Sequence, residues 1–379
     1  MSINEIILYI MMVFMVLGAV DKIFGNRFDL GSKFDEGFMA MGPLAIAMLG
    51  VVSIAPVLAR VLGVVVVPVY TFLGADPAMF ATTLLANDMG GYPLAKAMAL
   101  TPQAGSFAGL ILGAMMGPTI VFTIPVALGI IRKEDHKYLA SGIMIGMVTI
   151  PLGCLAGGLA AGNDIWMIFH NLVPIVMFAL VIAAGLWIAP GKMIRGFTIF
   201  GKGLMIFITI CTVFIVLETL TGLVIIPGMT PIWDGMKIIG SISIVLIGAF
   251  PMVAVITRVF AKPLLKLGGL IGMNDAAAAG MIATLANAIP MLTMLKDMNP
   301  KGKIINIAFA VSAAFILGDH LGFTAGVEKE MIFPMIIGKF TGGVTAVVVA
   351  VLIGDRMTKS EGKEAMTNQT ESVKENKEV

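Results

Sequence analysis

Two short polar runs interrupt otherwise apolar stretches of this sequence, and each contains an acid. The first, LLANDMGGYP, places Asn87 and Asp88 just before two glycines and a proline, which an α-helix continues through only at a cost. The second, GDHLG, places Asp319 and His320 between two glycines. Carboxylates and freed backbone carbonyls are groups that can replace the hydration shell of a small cation. These residues therefore predict a binding site for a small, cationic, hydroxylated solute.

Each acid also has a structural interpretation. An acid inside a membrane costs on the order of 2.5–3.5 kcal/mol, so it is a functional candidate by default, but Asp88 could instead bond a neighbouring backbone group. Asp319 could hold a cation or orient His320, and His320 could donate to a hydroxyl or relay a proton. Alternatively, this pair forms a polar network that joins two helices. We favour the binding role in both places.

Weaker candidates lie elsewhere in both halves of the chain. Asn287, in LANAIP, keeps an asparagine and a proline but has no acid beside it. Thr119 and Thr123 lie between two prolines and supply hydroxyls either to a solute or to carbonyls that the prolines leave free. Lys339 lies in an apolar run, where it either extends to the membrane surface or pairs with an acid. The candidate substrate-binding residues are Asn87, Asp88, Thr119, Thr123, Asn287, Asp319 and His320.

The composition indicates a membrane environment for these residues. Of the 379 residues, 58% are hydrophobic and 13% are charged, against about 45–50% and about 25% in soluble domains. The net charge of +2 offers no electrostatic support for a nucleic-acid partner. Cys154 and Cys211 lie in apolar runs and indicate neither a disulfide nor a metal site. Without a P-loop, haem or zinc motif, we expect no enzyme and no cofactor, except H⁺ or Na⁺ as a coupling ion.

The apolar runs predict an all-α polytopic membrane protein with about 11–13 transmembrane segments. Three runs, 61–74, 76–95 and 259–272, are ambiguous because they are short or interrupted. The first run lacks the basic start and the cleavage site of a signal peptide, so we expect a membrane helix. The ten clear runs are 3–21, 38–59, 104–131, 138–162, 165–189, 204–226, 236–257, 275–295, 304–327 and 331–354.

The distribution of basic residues predicts the orientation in the membrane. If 61–74 and 259–272 are both crossings, there are 13 segments, and 20 Lys and Arg fall on one side against four on the other. If both are discarded, the split is about 13 against 11. The positive-inside rule therefore favours 13 crossings, with the N-terminus outside and the C-terminus cytoplasmic. The charged tail, 355–379, has few apolar residues, and we expect it to be disordered.

Several sequence matches recur at an offset of about 200 residues. Leu-Ala-Asn at 85–87 recurs at 285–287, and Gly117 corresponds to Gly318. An odd number of crossings separates the two copies, so they are predicted to be inverted, which is typical of alternating-access transporters. The predicted organisation is a first helix and loop (1–37), repeat one (38–162), connecting helices (163–235), repeat two (236–354) and the tail (355–379).

The same polar runs resemble a known family, the ethanolamine utilisation permease family, EutH. The most specific stretches include LLANDMGGYPLAK, GAMMGPTIVFTIPVALGII and AFAVSAAFILGDHLGF, and the resemblance extends from about residue 1 to 354. It implies a permease of the bacterial inner membrane that takes up ethanolamine for catabolism. The ammonium group of ethanolamine would pair with Asp88 or Asp319, and its hydroxyl would bond Asn87, Asn287 or His320.

Other functions stay open at this point. One is a cation-coupled carrier for another small amine or amino alcohol, with Asp319 and His320 binding the driving ion. Another is a membrane scaffold or sensor for ethanolamine-utilisation proteins, with the tail as the docking segment. The lipid bilayer is a partner in every case, and the sequence is compatible with a homo-oligomer.

Overall fold

The computed structural model describes the backbone of residues 1–375 and the side chains of residues 1–353. Every regular element in this part of the chain is helical, which confirms the all-α class. The protein is therefore a multi-pass membrane protein, because eight helical segments within the described residues are long and apolar enough to cross a bilayer. These segments are Ile3–Ile23, Leu30–Phe72, Pro102–Ile130, Lys133–Ala160, Ile165–Ile188, Pro190–Thr221, Ile232–Leu270 and Lys329–Ile353.

The helices are numbered along the chain, and short 3₁₀ or π turns join several of them. The first half contains α1 (Ile3–Ile23), α2 (Leu30–Met39), α3 (Met41–Phe72), α4 (Ala78–Leu84), α5 (Gly91–Met98), α6 (Pro102–Ser106), α7 (Met116–Pro118), α8 (Ile124–Ile130) and α9 (His136–Ala160). The connecting helices are α10 (Ile165–Ile188) and α11 (Pro190–Thr221). The second half contains α12 (Ile232–Leu270), α13 (Asp275–Ala286), α14 (Ala288–Met294), α15 (Pro300–Ala313), α16 (Asp319–Val327) and α17 (Ile332–Glu375).

Two very long helices correct the predicted number of crossings. Helix α3 has 32 residues and α12 has 39, so they are roughly 48 and 58 Å long, against about 30 Å for the hydrocarbon core. The runs 61–74 and 259–272 form the last turns of these helices, so the prediction that they are separate crossings is wrong. Arg60 and Arg258 mark the predicted breaks, but a charged side chain does not interrupt backbone hydrogen bonding, and both helices continue.

Two further segments turn back on themselves. Hairpin one, residues 76–100, contains α4 and α5, and the Asp76 carboxylate at its start accepts a 3.0 Å hydrogen bond from the backbone of Leu100 at its end. Hairpin two, residues 274–299, contains α13 and α14, and Asn274 and Asn299 bond each other's backbone N–H groups at 3.2 and 3.3 Å. Each hairpin therefore begins and ends at the same place, and its tip lies within the bundle.

These hairpins change the path of the chain but leave the predicted sides of the basic loops unchanged. The run 275–295 is the second hairpin, so the prediction that it crosses the membrane is wrong. Hydropathy measures only the length of an apolar run. The two short antiparallel arms of a hairpin together have the same apolar length as one crossing, so hydropathy does not distinguish them. Each hairpin, together with the long helix before it, accounts for two crossings fewer than predicted. Because the number of crossings changes by two each time, the later loops keep their predicted sides of the membrane. The orientation of the termini stays a prediction.

Each hairpin is followed by a span with an interrupted helix. Broken span one, Pro102–Ile130, contains π-type turns, including Thr119–Thr123, next to prolines that lack N–H donors. Broken span two, residues 300–327, is not helical between α15 and α16. Phe315 there has a φ of 64°, in the left-handed region that residues other than glycine rarely adopt. Both interruptions leave backbone groups to be paired outside their own helix.

Small residues allow the surrounding helices to approach closely. Helices α9 and α17 pack against each other and against α15, which is the first part of broken span two. A Cβ atom on Gly153 would lie 2.6 Å from the carbonyl oxygen of Gly338, so this contact between α9 and α17 requires glycine. Gly157 also contacts α17 through its backbone. The glycine stripe Gly153-x-x-x-Gly157 thus serves helix packing, as its spacing predicts.

The tail differs from its prediction over part of its length. Composition predicts disorder over 355–379, whereas the backbone of α17 continues as a helix to Glu375. Lys and Glu, which are frequent there, are good helix formers, so their abundance does not oppose a helix. Residues 376–379, and all side chains beyond residue 353, lie outside the described part of the chain.

Candidate functional site

The tip of hairpin one and the interruption of broken span two bring the two acids together. Asn87 and Asp88 lie in a 3₁₀ turn between α4 and α5, and this turn contacts α16. Asp319 is the first residue of α16. The Asp88 carboxylate is close enough to act electrostatically on Asp319. Two acids from opposite halves of the chain therefore share one polar region inside the bundle.

Two glycines allow the hairpin tips to touch the broken spans. A Cβ atom on Gly117 would lie 2.0 Å from the carbonyl oxygen of Leu85 in hairpin one. A Cβ atom on Gly318 would lie 2.2 Å from the carbonyl oxygen of Ala286 in hairpin two. Both separations are far below van der Waals contact, so only glycine permits these approaches. The same kind of contact thus occurs at corresponding positions of the two halves.

The strained backbone at Phe315 is supported by hairpin two. Its N–H donates to the carbonyl of Thr284 at 3.1 Å, and the N–H of Leu317 donates to the carbonyl of Leu285 at 3.0 Å. These bonds satisfy groups that the interruption frees from the helix. The Phe315 ring lies 5.2 Å from the His320 ring, measured between centroids. The interruption therefore also positions an aromatic wall beside the imidazole.

Lys339 belongs to the site, although the sequence analysis did not include it among the candidate binding residues. This α17 side chain is 1% exposed, and its Nζ donates to the Ala114 carbonyl and lies 3.0 Å from His320 Nδ1. It also attracts the Asp88 carboxylate. A protonated Lys339 would donate to His320 Nδ1, and the ring proton would then lie on Nε2. An ionisable residue in an apolar run was the available signal, but its partners lie far away in the sequence.

The two tip asparagines have different surroundings. Asn87 is fully buried, and its Oδ1 accepts from the backbone N–H of Asp88 at 3.0 Å. Its Nδ2 has no hydrogen-bond partner among the described residues. Buried donors are rarely left unpaired, so this amide is available to a bound solute. Asn287 is less buried, and its Oδ1 caps α14 by accepting from Ile289 N–H at 2.8 Å.

The threonines belong to broken span one. The Thr119 hydroxyl donates to the carbonyl of Met115 at 2.9 Å and approaches that of Val311 in α15 at 3.3 Å. It therefore links the backbones of the two broken spans. Thr123 is buried in the following turn. The polar region of the candidate site consists of Asn87, Asp88, Asp319, His320 and Lys339.

Known proteins resemble this chain over almost its whole length. Residues 3–353 match the family described as "Ethanolamine utilisation protein, EutH". The chain is 64% identical to "Probable ethanolamine permease EutH" of Listeria monocytogenes serotype 1/2a (strain 10403S), over 99% of this chain and 100% of that protein. It is 54% identical to "Uncharacterized protein YxeR" of Bacillus subtilis (strain 168), over 92% and 95%. It is 51% identical to "Probable ethanolamine permease EutH" of Escherichia coli (strain K12), over 93% and 96%. No solved structure matches. The chain belongs to the EutH family of ethanolamine utilisation proteins.

Proposed function

We propose that the protein is a permease that carries ethanolamine across the bacterial cytoplasmic membrane. The observation that supports this most is the pair of acids, Asp88 and Asp319, at two helix interruptions inside the bundle. Relatives at 64% and 51% identity carry the name ethanolamine permease, which is consistent with this substrate. Intramembrane acids in membrane proteins generally mark a substrate or ion pathway.

The charges of the site suit one small ammonium ion. With both acids ionised and Lys339 protonated, the region carries one net negative charge, which a single monovalent cation neutralises. The ammonium of ethanolamine would lie between Asp88 and Asp319. Its hydroxyl would accept from the unpaired Asn87 Nδ2 or from His320 Nε2–H. A zwitterion or an anion would lack a matching arrangement of donors.

We further propose that transport uses alternating access between two inverted repeats, 38–162 and 236–354. Five membrane-spanning segments lie between the hairpins, and this odd number makes the hairpins enter from opposite faces. The paired contacts of Gly117 with hairpin one and Gly318 with hairpin two support the repeat. In known transporters of this type, a site between the repeats is exposed to each side in turn.

An entrance on the predicted outer side lies beside hairpin one. A cleft of about 350 Å³ there is lined by Tyr92, Asp234 and Lys237, among others. Tyr92 follows Asp88 by four residues in hairpin one, and its hydroxyl donates to the Glu328 carboxylate at 2.8 Å. We propose that movement of hairpin one opens this path to ethanolamine.

Uptake of labelled ethanolamine by purified protein in proteoliposomes tests the proposal. We expect Asp88→Asn and Asp319→Asn each to abolish uptake without loss of membrane insertion, because each removes a carboxylate that pairs with the ammonium. Asp297→Asn, which changes an exposed acid at the base of hairpin two, is the matched control. Normal uptake by both site variants would contradict the assignment.

The same vesicles address selectivity and coupling. Competition by choline, propanolamine and serine measures which feature of the solute is recognised. Gradients of pH, Na⁺ and voltage, imposed one at a time, identify any coupling ion, for which the acids and His320 are the candidate groups. Deletion of 356–379 with unchanged uptake would support a carrier core that is independent of the tail.

A further inference from the structure

A basic cleft of about 600 Å³ lies where α8, α9 and α11 meet at one end of the bundle. Three cationic side chains line it: Lys137 in the first turn of α9, and Arg195 and Lys202 on α11. No acid is among its described lining residues. The nearby Asp135 is buried and paired with Lys303, so it does not neutralise Arg195 or Lys202. Arg195 and Lys202 therefore give the α11 wall of the basic cleft a positive charge.

The wall formed by α11 combines polar and apolar groups on one helix face. Arg195, Thr198, Ile199 and Lys202 are spaced by three or four residues, so they share this face. The apolar side chain of Leu128, from α8, contributes to the opposite wall. The polar end of a ligand in the basic cleft would thus contact cationic side chains, and the rest of the ligand would contact apolar side chains.

An exposed apolar stripe continues from the basic cleft along α11. Ile199, Ile206, Ile210 and Val213 are all exposed, and their spacing of seven, four and three residues keeps them on one helix face. This stripe extends from the end of α11 that carries the basic residues towards the middle of the membrane. An acyl chain would lie against such a stripe, whereas free phosphate has no group that would use it.

We propose that the basic cleft binds the phosphate-bearing headgroup of an anionic phospholipid, with an acyl chain along the α11 stripe. The cleft lies on the face that the positive-inside rule assigns to the cytoplasm, and basic pockets between helices on that side suit anionic headgroups. The first turn of α9, at His136, adds the positive end of a helix dipole. This site is separate from the ethanolamine site and does not depend on the proposed transport.

Titration of the purified protein with phosphatidylglycerol in detergent, followed by native mass spectrometry, tests this site. Each Lys or Arg near an anionic headgroup contributes about fivefold in affinity, so we expect Arg195→Gln/Lys202→Gln to bind about 25-fold more weakly. The double variant Lys262→Gln/Lys266→Gln is the control, because it removes the same charge from exposed positions on α12 outside the cleft. We expect its affinity to stay within about twofold of the unmodified protein's, since its distant charges are screened.

Three further measurements separate the possible outcomes. The unfolding temperature without added lipid should be equal in both double variants, so that weaker binding reflects the site rather than misfolding. Phosphatidylcholine and inorganic phosphate should not displace phosphatidylglycerol. Displacement by inorganic phosphate at the same concentrations would overturn the lipid assignment in favour of a free anion. An equal loss of affinity in the control variant would overturn the site itself, because general surface charge would then explain binding.

Discussion

Lys339 contributes to the electrostatics of the candidate site, because its buried amine interacts with the Asp88 carboxylate. Lys339→Gln removes the charged donor to the Ala114 carbonyl and to His320. Hydrogen bonds of charged groups contribute about 1.5–3 kcal/mol, so we expect ethanolamine uptake to fall roughly 10- to 100-fold. Initial uptake rates in proteoliposomes measure this, with the exposed Lys329→Gln as the control. Equal rates in the two variants would show that the buried cation has no role in transport.

The unpaired amide of Asn87 predicts how the hydroxyl of the substrate is recognised. Asn87→Ala removes the Nδ2 donor, so we expect affinity for ethanolamine to fall about two- to tenfold. Ethylamine has no hydroxyl, and its weaker inhibition of uptake should stay unchanged in the variant. The ratio of the two inhibition constants is the measurement. If both compounds lose affinity equally, Asn87 supports the hairpin tip and does not contact the hydroxyl.

At the scale of elements, the contacts between hairpin tips and broken spans depend on two glycines. Gly117→Ala or Gly318→Ala would force the hairpin backbone away, and overpacking of this kind costs about 1–3 kcal/mol. We expect a lower unfolding temperature and reduced uptake from each variant. Gly129→Ala and Gly240→Ala are matched controls, because nothing lies within 4 Å of an added Cβ there. Equal losses in controls and test variants would argue against these contacts.

Glu328 connects hairpin one to the end of broken span two. Burial raises its pKa, but hydrogen bonds from Lys96, Ser106 and Tyr92 outweigh burial and hold the pKa below its usual 4.5. A carboxyl whose pKa is lowered by folding stabilises the protein above the unfolded-state pKa and loses this contribution as pH falls through the folded value.

Acidification therefore tests this connection between the elements. We expect the unfolding temperature of the unmodified protein to exceed that of Glu328→Gln near neutral pH, because only the carboxylate pairs with Lys96, at 2.8 Å. The difference should decrease as pH falls below about 4.5, and it should disappear once pH is below the lowered pKa of the folded carboxyl. Glu330→Gln, an exposed neighbour, should show no comparable difference at any pH. A pH-independent difference for Glu328→Gln would assign the effect to packing.

At the scale of the whole molecule, the topology with hairpins and the topology with 13 crossings differ in which residues are accessible from each side of the membrane. With single cysteines in a background without the two native ones, we expect Phe72→Cys and Leu100→Cys to react from outside, because both flank hairpin one. Leu270→Cys and Lys301→Cys, which flank hairpin two, should react only from the cytoplasm. A membrane-impermeant thiol reagent on cells and on inverted vesicles measures this. A topology with 13 crossings would instead place the two cysteines of each pair on opposite sides of the membrane.

Much of the architecture and part of the site were predictable from sequence. The helical membrane class and the polar interruptions at Asp88 and Asp319 follow from composition and from the position of helix-breaking residues. The hairpins were not predictable in this way, because apolar length does not report where a chain reverses. The hydrogen bonds that close them, from Leu100 to Asp76 and between the asparagines of hairpin two, depend on the folded backbone.

The sequence by itself determined that this protein lies in a membrane, because so few charges cannot cover a water-facing surface, and it marked the costly acids inside. Only the tertiary structure decided which groups surround them. Lys339, Ala114 and His320 meet because α17, broken span one and α16 converge. The fold also leaves Asn87 Nδ2 without an acceptor among the described residues. Such partnerships depend on distances between residues remote in sequence, which local pattern and hydropathy do not contain.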